Sequence, residues 1–161
     1  MSAPLADFAA WMAATAPARA MRENAWLYPL VETAHILGFV LLVGAVAMFD
    51  LRLLGFGRWL PPRELARHLL PWSAGSFLLV APSGLLLFSA QAADMLANPV
   101  FLLKMGLVVA AALNAAAFHA SRWWRTAGIA DAPPFGARLH AALSLACWAT
   151  VIACGRLLAY F

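Results

Sequence analysis

The stretch that decides the fold is residues 26–55, WLYPLVETAHILGFVLLVGAVAMFDLRLLG. Its apolar part, 27–49, is long enough to cross a bilayer, whose hydrocarbon core requires about 20 apolar residues of helix. Glu32 and His35 nevertheless stand inside this run, one helical turn apart. An ionisable side chain at that depth is costly and usually has a functional reason. The stretch therefore predicts a membrane-spanning helix that carries a functional histidine.

The composition of the whole chain also indicates a membrane protein. Of its 161 residues, 65% are hydrophobic and only 11% are charged, whereas soluble domains have roughly a quarter charged residues. The formal net charge is +4. Most arginines lie in the connections between apolar runs, where membrane topology accounts for them. We therefore exclude nucleic-acid binding.

Three further apolar runs are long enough to span a membrane: 69–90, 101–120 and 139–161. Together with 27–49 they predict an all-α fold, an integral membrane four-helix bundle that forms a single domain over 1–161. Residues 4–22 place Leu5, Phe8 and Trp11 at helical spacing. This segment predicts a short amphipathic helix in the membrane interface; the alternative is a frayed tail.

Arginines and aromatic residues indicate how the bundle is oriented. The two connections that follow the first and third spans are arginine-rich: Arg52, Arg58, Arg63, Arg67, Arg122, Arg125 and Arg138. Because basic loops stay in the cytoplasm, both chain termini are expected outside. Interfacial aromatics agree, with one group at each side: Trp26, Tyr28 and Tyr160 outside, Trp59, Trp72, Trp123 and Trp124 inside.

The chain has four histidines: His35, His68, His119 and His140. Two facing histidines between membrane helices suit a b-type heme, because each imidazole gives one nitrogen to iron while an acceptor holds the other N–H. His119 and His140 stand at equal depth on consecutive spans and are the expected pair, with His68 as a substitute for either. The alternative for His68 and His140 is a solvated histidine beside an arginine.

His35 stands alone in the outer half and is expected to bind a cofactor. The alternative is that it only forms a hydrogen bond to Glu32 or to a backbone carbonyl of a neighbouring helix. Glu32 is expected to orient its imidazole or to accept a proton. Lys104 lies about a turn inside the third span and could be the counter-charge for a heme propionate or for Glu32. The alternative is that it extends to the surface or pairs with Asp94. The ligand opposite His35 is Met105, a water molecule or an open position.

Other small and charged residues could complete a heme site. Flat walls are expected from glycines, and propionate partners from basic residues near the surfaces: Gly38, Gly44, Gly75, Arg67 and Arg122. In the last span His140, Cys147 and Cys154 recur every seven residues. They would serve a soft ion such as Cu(I), or the cysteines would simply pack. The cysteines are too far apart on one helix for a disulfide.

Two parts of the chain resemble a known superfamily. His35, Gly44 and Arg52, followed by LLG, form the first part, and FLLKMGLVVAAALNAAAFH at 101–119 forms the second. They resemble the HemJ/CopD-like superfamily of bacterial membrane proteins, which includes the protoporphyrinogen oxidase HemJ and the copper-resistance protein CopD. The flanks WLYPLVETAH and FDLRLLG indicate a separate branch. The resemblance implies a heme b site in which His35 and Lys104 are functionally important.

These observations lead to one function and one alternative. The first is a heme b-binding protein of the bacterial inner membrane, with one or two hemes, that transfers electrons or serves as the membrane subunit of a redox system. An enzyme of this kind would be a membrane oxidoreductase. The alternative is a CopD-type copper transporter with His, Met and Cys sites. The expected partners are the lipid bilayer, a redox protein or quinone, and further copies of the chain.

Overall fold

The computed structural model describes residues 3–121 and 133–160. Over these ranges the chain is all-helical, with seven helices: α1 (Ala3–Ala13), α2 (Ala16–Glu23), α3 (Leu27–Leu54), α4 (Pro62–Ala90), α5 (Ala92–Ala97), α6 (Pro99–Ala120) and α7 (Phe135–Leu157). By length and composition α3, α4, α6 and α7 can each cross a membrane. The predicted all-α fold with four spanning helices is therefore confirmed.

Helices α3 and α4 extend beyond the predicted spans. The first continues to Leu54 and is closed by Gly55, whose φ of 109° gives the left-handed C-cap that favours glycine. The second begins at Pro62, a favoured residue for a first helical turn. The connection between them is therefore the short loop 55–61.

Arg52 was expected to be a loop charge, and that interpretation is wrong. It lies within α3 with only 5% of its surface exposed. Its guanidinium donates hydrogen bonds to the backbone carbonyls of Leu60 and Arg58. Arg52 therefore fastens the 55–61 loop to the end of α3.

The four long helices enclose a groove. Helix α3 packs against α4 and α7, and α7 also packs against α6. Over the described ranges α4 and α6 make no close backbone approach; the rings of Phe88 and Phe101 stack between them with centroids 5.6 Å apart. A groove therefore runs between α4 and α6, with α3 and α7 as its floor.

The close approach of α3 and α4 depends on Gly38. A Cβ at this position would lie 2.9 Å from Cγ2 of Val80. Small residues allow membrane helices to approach closely. Gly38, one turn from His35, therefore sets the spacing between α3 and α4. The space beside Gly38 is filled by side chains of α4, so it is not open to a flat ligand.

The N-terminal segment forms two helices where one was predicted. Helix α2 carries Pro17 in its first turn, and proline has no N–H with which to continue a preceding helix. Ala18 and Met21 of α2 are buried against the bundle, whereas Phe8 and Trp11 of α1 are exposed. We call the end of the bundle formed by α1, α2 and α5 the termini end, and the end with the 55–61 loop the loop end.

The largest buried apolar cluster lies at the loop end and includes Phe49, Leu53 and Phe118. The rings of Phe49 and Phe118 meet edge to face with centroids 6.2 Å apart. This cluster joins α3 to α6 and α7. Several residues assigned to the membrane surfaces lie outside the described residues: Arg122, Trp123, Trp124 and Arg125. Phe161, the end of the fourth predicted span, also lies outside them.

Candidate functional site

The imidazole of His35 is held by helix α4. Its Nδ1 lies 3.1 Å from the backbone oxygen of Val80 and 3.0 Å from Oγ of Ser83. A carbonyl oxygen only accepts hydrogen bonds, so Nδ1 must carry the proton. In a neutral ring Nε2 then keeps its lone pair. This is the arrangement found in metal-ligating histidines, whose second nitrogen donates to an acceptor.

Three residues within little more than one turn of α4 hold the imidazole ring of His35. The Ser83 hydroxyl donates to the Leu79 carbonyl, 2.5 Å away, so an oxygen lone pair is left for the imidazole N–H. Gly84 lets the ring lie against the helix, because a Cβ there would be 3.0 Å from Cε1 of His35. Val80, Ser83 and Gly84 thus fix both the tautomer and the position of the ring.

Glu32 does not hold the ring in the expected way. Its side chain is exposed, and among the described residues the acceptors for the Nδ1–H of His35 lie on α4. The charges of Lys104 and Glu32 both act on the imidazole. Glu32 therefore contributes an electrostatic field and α4 contributes the orientation.

Lys104 reaches the interior of the bundle. The residue is half-buried on α6, and a Cβ at Gly155 of α7 would lie 3.9 Å from its Nζ. The buried thiol of Cys154 interacts electrostatically with the Lys104 ammonium group. Among the described residues Lys104 makes no hydrogen bond or ion pair. The structure thus brings an unpaired ammonium group close to His35, while Met105, one residue further on, is 43% exposed.

A cavity of about 400 Å³ lies at the loop end, with walls from all four long helices. Its lining is mostly apolar and aromatic, with a few polar groups: Asp50, Ser73, Asn114, His119, His140 and Ser144. Because α4 and α6 stay apart over the described residues, the cavity opens sideways between them. We call it the loop-end cavity.

His140 has a defined tautomer in this cavity. The amide nitrogen of Asn114 donates to the backbone oxygen of His140 at 2.9 Å, which fixes the orientation of the amide. The amide oxygen then faces Nδ1 of His140 at 2.7 Å. Because that oxygen only accepts, Nδ1 carries the proton and Nε2 keeps its lone pair. His119 likewise places Nδ1 2.8 Å from the carbonyl of Ala115.

The structure brings His119 and His140 to the same cavity, as expected, but Phe118 contacts both rings. Its centroid lies 5.6 Å from that of His119 and 5.7 Å from that of His140. Phe118 is buried and lies against both imidazole rings. His68 is exposed on α4 and is not part of the cavity wall.

Asp50 is the residue that sequence reasoning missed. It is 5% exposed, and its Oδ2 has no hydrogen-bond partner among the described residues. The hydroxyl of Ser144 is the partner that the carboxyl group does have. The predicted span ended at residue 49, so Asp50 lay just beyond it and was not considered as a site residue. An acidic residue followed by about one more turn of helix, LRLL, was the available signal.

The sulfur-containing sites expected for copper are less developed. Both cysteines are free thiols, and Cys154 is buried. Within residues 3–121 and 133–160, no group of three or more His, Cys, Asp or Glu side chains is arranged to hold a metal ion. Comparison of the chain with protein-family models, curated protein sequences and solved structures found no match.

Proposed function

We propose that this chain is a heme b-binding protein of the bacterial inner membrane that carries electrons, in which His35 would hold the heme iron. The observation that supports the proposal is the way in which α4 holds the imidazole ring of His35. The Val80 carbonyl and the Ser83 hydroxyl hold Nδ1, which leaves Nε2 as a free base at membrane depth. The N–H of a buried imidazole needs an acceptor in any case, but Nε2 has no hydrogen-bond partner among the described residues.

The surroundings of His35 fit a heme. A b-type heme needs an axial imidazole, apolar walls and a cation for its carboxylate groups. The stacked rings of Phe88 and Phe101 close the groove between α4 and α6 at the termini end and give it an apolar end wall. Lys104, on the α6 side, supplies an ammonium group without a partner among the described residues. When bound, the heme supplies one-electron chemistry.

The chain's own residues have separate tasks in this proposal. His35 ligates through Nε2, and Val80 and Ser83 keep Nδ1 protonated so that the ligating nitrogen stays basic. Lys104 neutralises a carboxylate that would otherwise be costly at this depth. His35 is the only histidine on the termini half of the spans, so any second protein ligand there would have to be another type of residue. We infer a single heme, because Phe118 is buried and lies against the rings of both His119 and His140.

The arginine-rich loop end would face the cytoplasm, in agreement with the positive-inside rule. Both termini would then lie outside. Electrons would be exchanged with a redox protein at a membrane surface or with a quinone in the bilayer. The exposed apolar faces of α6 suit lipid or a second copy of the chain.

The test is His35→Gly in purified protein, with heme content and the visible spectrum measured against wild type. His68→Gly is the matched control, because His68 is exposed. We expect His35→Gly to lose heme and added imidazole to restore it, which a merely unfolded variant would not allow. Full heme content with an unchanged spectrum in His35→Gly would overturn the proposal. Copper bound stoichiometrically by colourless wild-type protein would favour the transporter instead.

A further inference from the structure

A second pocket, of about 460 Å³, lies at the termini end, between the start of α3 and the end of α4. We call it the termini-end pocket. Its wall carries one cation, one anion and three uncharged polar side chains: Arg22, Asp94, Asn24, Tyr28 and Gln91. His35 and Lys104 are not part of this wall, so the pocket is separate from the proposed heme.

The termini-end pocket stands at the depth of lipid headgroups. Helix α3 has 28 residues, or about 42 Å at about 1.5 Å per residue, and a bilayer with its headgroups is about 40–45 Å thick. The first residues of α3 therefore lie among the headgroups. Tyr28, which lines the pocket, is of a type enriched at this level.

Arg22 is held in the pocket wall by the fold. Its guanidinium donates a hydrogen bond to the backbone oxygen of Ala13 at 2.6 Å and a longer one to that of Ala90 at 3.4 Å. These bonds tie α2 to the ends of α1 and α4. A guanidinium group has five N–H donors, so donors remain for a ligand. Backbone carbonyls leave its charge unneutralised, and a phosphate group is a favoured partner for it.

Asp94 faces the same pocket but is not paired with Arg22. Among the described residues its carboxylate makes no hydrogen bond and no ion pair, and its side chain is exposed. The amide nitrogen of Gln91 donates to the Tyr28 hydroxyl at 3.1 Å, so the amide oxygen stays available as an acceptor. The pocket therefore presents a fixed cation and, apart from it, acceptors for a second group. A single ion would satisfy only one of the two charges.

We propose that the termini-end pocket binds the headgroup of phosphatidylethanolamine, with its phosphate on Arg22 and its ammonium group on Asp94 and the amide oxygen of Gln91. A primary ammonium group has three N–H donors, as in lysine. The trimethylammonium group of phosphatidylcholine has the same charge without any N–H donor, and phosphatidylglycerol has no cation. The site therefore prefers phosphatidylethanolamine to both, and the bound headgroup joins α2 to α5.

The test is a titration of the delipidated full chain in detergent, followed by native mass spectrometry. The ligands are dioleoyl phosphatidylethanolamine, phosphatidylcholine and phosphatidylglycerol, which share their acyl chains. We expect the first to bind at least about tenfold more tightly than the second, because hydrogen bonds to a charged group are lost with the N–H donors. Equal affinities would overturn the proposal. Glycerophosphoethanolamine, which lacks acyl chains, should bind far more weakly, and binding as tight as that of the lipid would overturn the assignment to a lipid.

Protein variants complete the test. Asp94→Asn should reduce the preference for phosphatidylethanolamine over phosphatidylcholine to nearly one, whereas Arg22→Gln should weaken both lipids alike, because both carry the phosphate. Asp7→Asn is the matched control, since Asp7 is exposed and outside the pocket. The delipidated Asp94→Asn protein should unfold like wild type, because Asp94 has no partner among the described residues. An unchanged lipid preference in Asp94→Asn would refute the site. His35→Gly should keep the preference, so failure of the heme proposal and failure of this one are distinguishable.

Discussion

His35 of α3 and Gly84 of α4 are in direct contact: a Cβ at residue 84 would lie 3.0 Å from Cε1 of the imidazole and 3.4 Å from its Nδ1. The ring therefore lies against the backbone of α4. Its position is set by packing as well as by the hydrogen bonds to Val80 and Ser83. A substitution at Gly84 should therefore change how His35 binds a heme, although His35 itself is not substituted.

Gly84→Ala should displace the His35 ring by a few tenths of an ångström, because the added methyl group would be too close to Cε1. We expect lower heme content or a shifted Soret band in purified protein. Gly75→Ala is the matched control on the same helix, since a Cβ there has no neighbour within 4 Å in the described structure. Identical spectra for Gly84→Ala and wild type would show that the ring has room.

Ser83→Ala should weaken heme binding without abolishing it. The substitution removes one acceptor at Nδ1, but the Val80 carbonyl remains and keeps the proton on that nitrogen. Loss of a residue that supports a metal ligand typically lowers affinity about 10- to 100-fold, and we expect the lower end in a heme titration. Ser76→Ala is the control, because that hydroxyl bonds only within α4, to the Trp72 carbonyl. A Ser83→Ala protein with wild-type affinity would contradict the assignment.

The four spanning helices could be predicted because each needs a continuous apolar run, which is visible in one sequence. Their ends were less predictable, since a helix continues past the apolar run until a residue such as Gly55 ends it. That difference places Arg52, which was expected in the loop, in the last turn of α3 and places Asp50 within the same helix. It also concealed Asp50 as a candidate site residue.

That His35 and Lys104 lie in the same half of the bundle could be predicted from their depths in the membrane, because each lies a calculable distance along its own helix. The partners of His35 could not be derived in the same way. Which turn of α4 faces His35 depends on the rotation and register of two helices. That register is set by the contact of Gly38 with Val80, and no periodicity within α3 or α4 specifies it. The hydrogen bonds of Val80 and Ser83 to His35 are therefore visible only in three dimensions.

The orientation of the bundle gives a prediction that does not depend on any ligand. Reporter fusions at residue 60, in the 55–61 loop, should report a cytoplasmic location, and fusions at the C-terminus an external one. The physical reason is the retention of basic loops in the cytoplasm. Alkaline phosphatase and green fluorescent protein fusions, which are active on opposite sides, check each other. A cytoplasmic C-terminus would contradict the prediction.

Asn114→Leu should destabilise the packing of α6 on α7. The amide makes two hydrogen bonds to His140, one to its backbone oxygen and one to its ring. Hydrogen bonds between membrane helices contribute about 0.6–2 kcal/mol each, so we expect a loss of about 1–3 kcal/mol in the free energy of unfolding. Thr150→Val is the control, because that hydroxyl bonds within α7, to the Ala146 carbonyl. Equal stability of the two variants in denaturant titrations would exclude the bridge.

Asp50→Leu should make the ligand-free protein more stable than wild type. The wild-type carboxyl group is buried, and its Oδ2 has no hydrogen-bond partner among the described residues, which typically costs about 1–3 kcal/mol. Leucine removes that penalty and adds apolar contacts, and the adjoining cavity leaves room for its larger side chain. The hydroxyl of Ser144 can turn to a carbonyl of its own helix, so little is lost on α7. Thermal unfolding in detergent should show a higher midpoint for Asp50→Leu, with Asp94→Leu unchanged. If Asp50→Leu instead unfolds at a lower temperature, the Asp50 carboxyl group stabilises the fold, and the unpartnered oxygen carries no net cost.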